Sequence, residues 1–252
     1  MKTDTDKKIL AFIKKKGEAT PKEIIAFIGL GAPAVFRQLK KLIQKGDIVK
    51  IGKPPRVLYR LPFSEKDLLS KDILQWTIAA KPDEVEPDFF CPTRDVFQAR
   101  LDRMLSNIVR STDNEPLSYL IAAVCGEIGN NSYDHNLGNW PDASGVYFRP
   151  DAHNRIIAIA DRGLGVLATL RRVKPDIRTD SEALDIAFTK TISGRGGEQR
   201  GNGLKFVKKI VQEKHLTLRF YSGDALCYID AETMHIGASG ARVRGTAALL
   251  EF

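Results

Sequence analysis

Residues 156–165 read Ile-Ile-Ala-Ile-Ala-Asp-Arg-Gly-Leu-Gly, and this stretch decides the fold of the larger part of the chain. The apolar run from Ile156 to Ala160 predicts a buried β-strand, because short apolar runs that end at glycine are typical of strands. The strand passes directly into Asp161, which places a hydrogen-bond acceptor at the end of a sheet. Gly163 and Gly165 follow, and they would let the backbone approach a ligand without a Cβ clash.

Upstream of this strand, residues 117–136 predict a helix with a buried face and a polar row beside it. The row consists of Glu127, Asn131 and His135, each four residues after the last. Steps of four drift only about 40° around a helix, so the three side chains line one edge. A polar ligand would explain a carboxylate, an amide and an imidazole there, although a solvated edge explains this stretch alone about as well.

Downstream of the strand, residues 194–204 form the glycine-rich segment Gly-Arg-Gly-Gly-Glu-Gln-Arg-Gly-Asn-Gly-Leu, which opens a predicted helix. Free backbone N–H groups and the positive end of a helix dipole favour phosphate. The spacing fits neither a P-loop nor a dinucleotide-binding fingerprint. A mobile linker is the alternative interpretation of this segment.

Taken in order, these three elements read ExxxNxxxH, DxGxG at a strand end, and a glycine-rich segment closing on GxGL. They resemble the ATP-binding domain of the gyrase, chaperone, histidine-kinase and mismatch-repair (GHKL) superfamily, over residues 93–252. Arg244-Gly245-Thr246 and the residues after it look like the last sheet strand of that family. Ser132 departs from its commonest form, in which a small apolar residue follows the asparagine.

The resemblance implies ATP and Mg²⁺ as cofactors. By position, Asn131 would bind the metal ion, Glu127 would polarise the attacking water, and Asp161 and Thr246 would hold adenine. The other ATP contacts that it implies are His135, Gly163, Gly165, Arg195, Arg200, Gly201, Gly203 and Leu204. Slow ATP hydrolysis or phosphate transfer to a protein would both be consistent with this set.

The first sixty residues predict three helices, over residues 5–16, 21–28 and 32–44, followed by two short strands, 48–51 and 57–60. This order resembles the winged helix-turn-helix of small bacterial transcription regulators, over residues 1–62. The resemblance implies that the third helix enters the major groove and that the loop between the strands contacts DNA as a wing. The residues that it implies are Arg37, Gln38, Lys40 and Lys41 on the helix and Lys53 and Arg56 on the wing.

The charge distribution favours a polyanionic partner for the same segment. Residues 1–62 hold 15 Lys and Arg against 5 Asp and Glu, a net charge of +10, whereas residues 63–252 hold 24 against 26, a net charge of −2. A positive field confined to one small segment attracts phosphates there. Winged helices also serve as dimerisation or protein-binding modules, so a protein partner remains an alternative.

We therefore predict an α+β protein with a winged helix-turn-helix at residues 1–62, a helical linker at 63–92, and a GHKL-type sandwich at 93–252. Its mixed sheet would be covered by helices on one face. The predicted function is a homodimeric DNA-binding regulator controlled by ATP. The alternative, drawn from resemblance to anti-sigma serine/threonine kinases, is phosphorylation or sequestration of a partner protein.

Bulk features predict a cytoplasmic protein. Cys91, Cys125 and Cys227 form no CxxC pair, which argues against a zinc ribbon or a disulfide framework. The sequence contains no apolar run long enough to span a bilayer and no signal-peptide pattern at Met1. A membrane partner is therefore not expected.

Overall fold

The computed structural model describes residues 3–62, 64–112, 114–136, 138–190 and 202–252. It consists of two compact units, Met1–Ser64 and Glu65–Phe252. The predicted phosphate-binding residues Arg195, Arg200 and Gly201 lie outside the described residues.

The first unit contains three helices and a small antiparallel sheet. The helices are α1 (Asp4–Lys16), α2 (Pro21–Ile28) and α3 (Ala32–Gln44), and the strands are β1 (Glu18–Ala19), β2 (Val49–Ile51) and β3 (Leu58–Arg60). The strand order is β1-β3-β2, so β2 and β3 form the wing hairpin. Strand β1 was not predicted from the sequence, and it pairs with β3 through only two residues.

Local signals set the helix boundaries of this unit. The Thr3 and Thr20 hydroxyls accept hydrogen bonds from the first turns of α1 and α2, each in a capping box. Gly29 ends α2 in the left-handed conformation that glycine adopts without a Cβ penalty. Apolar residues from all three helices and the hairpin then form one core: Ile9, Ile13, Ala19, Ile24, Val35, Leu39, Leu42, Ile48, Val57 and Tyr59.

The second unit is built on a five-stranded sheet. Its strands are β4 (Phe90–Cys91), β5 (Val146–Asp151), β6 (Ile156–Asp161), β7 (Thr217–Ile229) and β8 (Met234–Glu251). Its helices are α4 (Glu65–Ile78), α5 (Arg94–Ser111), α6 (Glu115–Asn136), α7 (Gly165–Arg171), α8 (Asp180–Thr189) and α9 (Gly203–Glu213). The sheet order is β4-β5-β6-β8-β7, and β6 pairs with β8 so that Asp161 lies opposite Thr246.

This sheet differs from the predicted one in two respects. Every pairing between its described strands is antiparallel, so the prediction of a mixed sheet was wrong. The prediction that helices cover one face was also wrong. Ile157 and Ile159 of β6 pack into the cluster that contains α5, α6 and α9, whereas Ile156, Ala158 and Ala160 pack into a cluster with α4.

Helix α4 lies in the segment that was expected to be a linker. Its Leu69, Ile73 and Trp76 are buried against the second face of the sheet, which places the helix in the second unit. Strand β6 is consequently buried on both faces, and this explains its nearly continuous apolar sequence.

Other features of the described residues bear on the class of protein. None of the helices in the described part of the chain is long and apolar enough to cross a membrane. Cys91, Cys125 and Cys227 are buried and free, and burial raises the pKa of each thiol. A raised pKa keeps each thiol in its protonated form, as is usual for cysteines that pack in a core.

Candidate functional site

Asp161 is buried at the end of β6 and accepts four hydrogen bonds. Its Oδ1 accepts from the Gly163 amide at 2.7 Å and from Asn136 Nδ2 at 3.1 Å. Its Oδ2 accepts from Ser132 Oγ at 2.9 Å and from Thr246 Oγ1 at 2.5 Å. A carboxylate offers about four acceptor positions, so this one is fully occupied and fixed in orientation.

The environment of Asp161 acts on its pKa in two directions. Burial raises the pKa of the carboxyl above its ordinary value, and the hydrogen bonds from Thr246, Gly163, Ser132 and Asn136 oppose that rise. Ser132 and Asn136 are themselves buried, whereas Thr246 is only half-buried. The side of Thr246 is therefore the least buried side of this carboxylate.

Two glycines allow the chain to close around Asp161. A Cβ on Gly163 would overlap the side chain of Asn136. Gly245 has a φ of +66°, and a Cβ there would overlap the backbone oxygen of Asp161. The turn after β6 and the strand beside it can thus approach closely only because both positions lack side chains.

A second group of predicted residues meets at the start of α9. A Cβ on Gly203 would overlap Oε2 of Glu127 and would lie 3.6 Å from Nδ2 of Asn131. Glu127 is exposed and Asn131 is half-buried, and both lie beside Gly203 at the amino end of α9. Leu204 packs against the core beside them.

Helix α6 connects these two groups, because Asn131 and Ser132 are neighbours about 100° apart on its surface. Ser132 and Asn136 face Asp161, while Glu127 and Asn131 face Gly203. Sequence reasoning missed Asn136 and treated Ser132 only as a departure from the family pattern. Their spacing of four residues, directly beside the row of Glu127, Asn131 and His135, was the available signal. His135 is exposed near the end of α6.

A cavity of about 570 Å³ lies next to the turn after β6. Gly163, Gly165 and Gly245 contribute to its wall, together with Ile78 of α4 and Arg162. Asp161 and the residues of the α9 group are not among its lining residues. The cavity therefore borders the turn from the side that faces away from α6.

The side chains around Gly203 offer oxygen atoms that a magnesium ion could use. No cluster of three or more His, Cys, Asp or Glu side chains able to hold a metal occurs within the described ranges. Mg²⁺ is commonly held by one or two protein oxygens together with substrate phosphates and water. The amide oxygen of Asn131 fits that pattern as the protein ligand, with phosphate as the additional source of oxygen ligands.

The residues predicted to contact DNA divide into two sets in the first unit. Arg37, Lys40, Lys53 and Arg56 are exposed. Lys41 instead forms an ion pair at 3.3 Å with the buried carboxylate of Asp6 on α1. Gln38 is half-buried, and its buried Oε1 has no hydrogen-bond partner.

The orientation of α3 explains this division. Val35, Leu39 and Leu42 are its buried residues. Gln38 lies on the flank of that buried stripe, because residues three and four apart share a helix face. Gln38 and Lys41 are therefore less exposed than Arg37 and Lys40, and the DNA contacts of all four stay predictions. Sequence reasoning also missed Phe36, which is 45% exposed on α3 beside Arg37 and Lys40.

Comparison with known families agrees with the fold of the first unit. A family model described as winged helix-turn-helix DNA-binding matches residues 2–48. The match covers α1 to α3 and ends just before the wing hairpin. Strands β2 and β3 of the structure form that hairpin. The prediction of an amino-terminal winged helix-turn-helix is thus confirmed. No curated protein matches the sequence.

Proposed function

We propose that this protein is a DNA-binding regulator in which ATP and Mg²⁺, bound by the second unit, control the winged helix-turn-helix. The observation that carries the proposal is the buried carboxylate of Asp161, held by four donors at a strand end. Helix α6 connects that carboxylate to the glycine start of α9. The half-buried Thr246 hydroxyl is the one of these donors that can turn away and leave an acceptor position for a polar ligand.

Adenine would bind at Asp161 through its amino group, which is a hydrogen-bond donor. All four acceptor positions of the carboxylate are filled, so one protein donor has to turn away when the base binds. Thr246 is the half-buried member of the four, and its hydroxyl can rotate to a new partner. Ser132 and Asn136 would keep the carboxylate aligned meanwhile.

The triphosphate would lie at the start of α9, where backbone N–H groups and the helix dipole favour anions. Asn131 would contribute its amide oxygen to Mg²⁺, which neutralises phosphate charge when it is bound. Glu127 is exposed beside Gly203 and would orient and deprotonate the attacking water. Without a base at that position, ATP would bind but hydrolyse slowly.

Replacing Glu127 with Gln is expected to retain ATP binding and to lower turnover about 100-fold, which is the low end of the contribution of a general base. Single-turnover hydrolysis and calorimetric ATP affinity should be measured on the same preparations. Glu213→Gln at the other end of α9 is the control and should hydrolyse ATP like the wild type. Full activity of Glu127→Gln would assign the base to another group.

Regulation is tested by the DNA affinity of the intact chain with and without ATP and Mg²⁺. A change of at least about fivefold is expected, because couplings of 1–3 kcal/mol are typical of allosteric proteins. A DNA affinity that ATP does not change, together with phosphate transfer from ATP to a protein, would favour the kinase alternative. A two-fold dimer stays a prediction that sedimentation in the same buffers would test.

A further inference from the structure

We propose that Arg162 is a positioning residue that couples the nucleotide-binding turn to helix α4. The inference rests on the proposed function, because it concerns how the adenine site communicates. Arg162 lies between Asp161 and Gly163 in sequence and is fully buried. Nothing in the ATP-binding role of its neighbours requires a buried arginine at this position.

The guanidinium of Arg162 joins the turn to the end of α4. Nη2 donates to the carbonyl oxygen of Ala79 at 2.9 Å, and Nη1 donates to the carbonyl oxygen of Trp76. The guanidinium carbon also lies 5.7 Å from the centroid of the Trp76 ring. Arg162 therefore satisfies carbonyl groups at the carboxyl end of α4, where a positive charge is favoured by the helix dipole.

Asp142 balances the buried charge. Its carboxylate accepts from Nε of Arg162 at 3.1 Å and from Nη2 at 2.6 Å. Arg162 holds the pKa of Asp142 below its ordinary value through this hydrogen bonding, against the effect of burial. Breaking a buried ion pair leaves an uncompensated charge, so Arg162 and its partners move together rather than separate.

Because successive side chains along a strand point to opposite faces, the carboxylate of Asp161 and the guanidinium of Arg162 lie on opposite faces of the sheet. Asp161 faces α6 through Ser132 and Asn136, whereas Arg162, the next residue, faces α4. Adenine bound at Asp161 would share that carboxylate with the Gly163 amide, so base binding would act on the turn that contains Arg162. Arg162 would carry that effect through the sheet to α4.

The surroundings of the link allow a movement of α4. The cavity of about 570 Å³ is bordered by Ile78 at the end of α4, by Arg162 and by Gly163. At its other end, α4 begins at Glu65, immediately after the first unit ends at Ser64. Helix α4 is therefore the first element of the second unit in chain order.

Amide hydrogen exchange of the full chain with and without ATP and Mg²⁺ tests the coupling directly. In the wild type, ATP is expected to slow exchange in residues 73–79 about tenfold. Arg162→Lys keeps the positive charge but lacks the planar guanidinium with its several N–H donors. This variant should bind ATP within about threefold of the wild type. ATP should slow its amide exchange in α4 less than about twofold. Arg100→Lys is the matched control, because Arg100 also donates to two backbone carbonyls, those of Phe90 and Pro87, away from the turn.

The outcomes separate the inference from the function on which it rests. Wild-type protein that binds ATP without a change in α4 would overturn the coupling and leave ATP binding intact. Wild-type-like protection in Arg162→Lys would also overturn it, as would equal losses in Arg162→Lys and Arg100→Lys. Absence of ATP binding would remove the proposed function and the coupling together. If Arg162→Lys does not fold, Asp142→Asn weakens the same link, and unchanged protection in that variant would contradict the inference.

Discussion

ATP binding is expected to weaken about 100-fold in Asp161→Asn. The carboxylate accepts hydrogen bonds at both oxygens, whereas an asparagine would present an N–H group to two of the donors. The adenine amino group would then lose its charged acceptor. Hydrogen bonds to charged groups contribute about 1.5–3 kcal/mol, so this loss lowers ATP affinity about 10- to 150-fold. Calorimetric titration with ATP and Mg²⁺ measures the effect.

Two further variants show whether this loss is specific. Asp230→Asn is the matched control, because Asp230 accepts from the amides of Glu232 and Thr233 in the β7–β8 turn, remote from the site. It should bind ATP normally. Thr246→Val removes one donor while keeping the side-chain shape, and it should weaken ATP binding about tenfold with little change in melting temperature. Unaltered affinity in a folded Asp161→Asn variant would remove the adenine role of this residue.

The second large effect is expected in the winged helix-turn-helix. Replacing Arg37, Lys40 and Arg56 with Ala should lower DNA affinity about 1,000-fold at low salt, because hydrogen bonds to charged groups contribute about 1.5 kcal/mol each. The slope of log affinity against log salt should become shallower by about 2.7, or about 0.9 for each DNA phosphate that the variant no longer neutralises. Fluorescence anisotropy with labelled duplex DNA over a salt series gives both quantities.

The control for this variant removes equal charge from another surface. Lys7, Lys14 and Lys15 are exposed on α1, and replacing all three with Ala leaves α3 and the wing unchanged. Its effect on DNA affinity should be small. Equal losses of affinity in the two triple variants would indicate a general electrostatic attraction, and the assignment of α3 and the wing as the DNA-binding surface would then be wrong.

The sequence predicted the elements whose signals are local. Thr20 and Pro21 mark the start of α2, Gly29 marks its end, and the apolar run before Asp161 marks β6. Strand β1 was not predictable, because two residues carry no periodicity. The position of α4 was also missed, since its apolar residues identify a buried face but not the sheet against which that face packs.

At the site, contacts between residues that are distant in sequence could not be predicted from local signals. Asp161 and Thr246 meet because β6 pairs with β8, and the resemblance that linked them implied a shared ligand. Asn136 was missed because its spacing of four residues from Ser132 indicates a shared helix face but not the carboxylate that this face meets. Lys41 was assigned to DNA because a lysine on a basic helix looks solvent-facing, yet a buried carboxylate on α1 pairs with it.

Calorimetric titration of the intact chain with ATP, in the presence and in the absence of Mg²⁺, tests the proposed nucleotide site most directly. Saturable binding of one ATP per chain is expected, at least about tenfold weaker without the metal, because phosphate oxygens share Mg²⁺ with Asn131. No heat of binding at millimolar ATP, together with an unchanged melting temperature, would contradict the proposal that the second unit binds ATP.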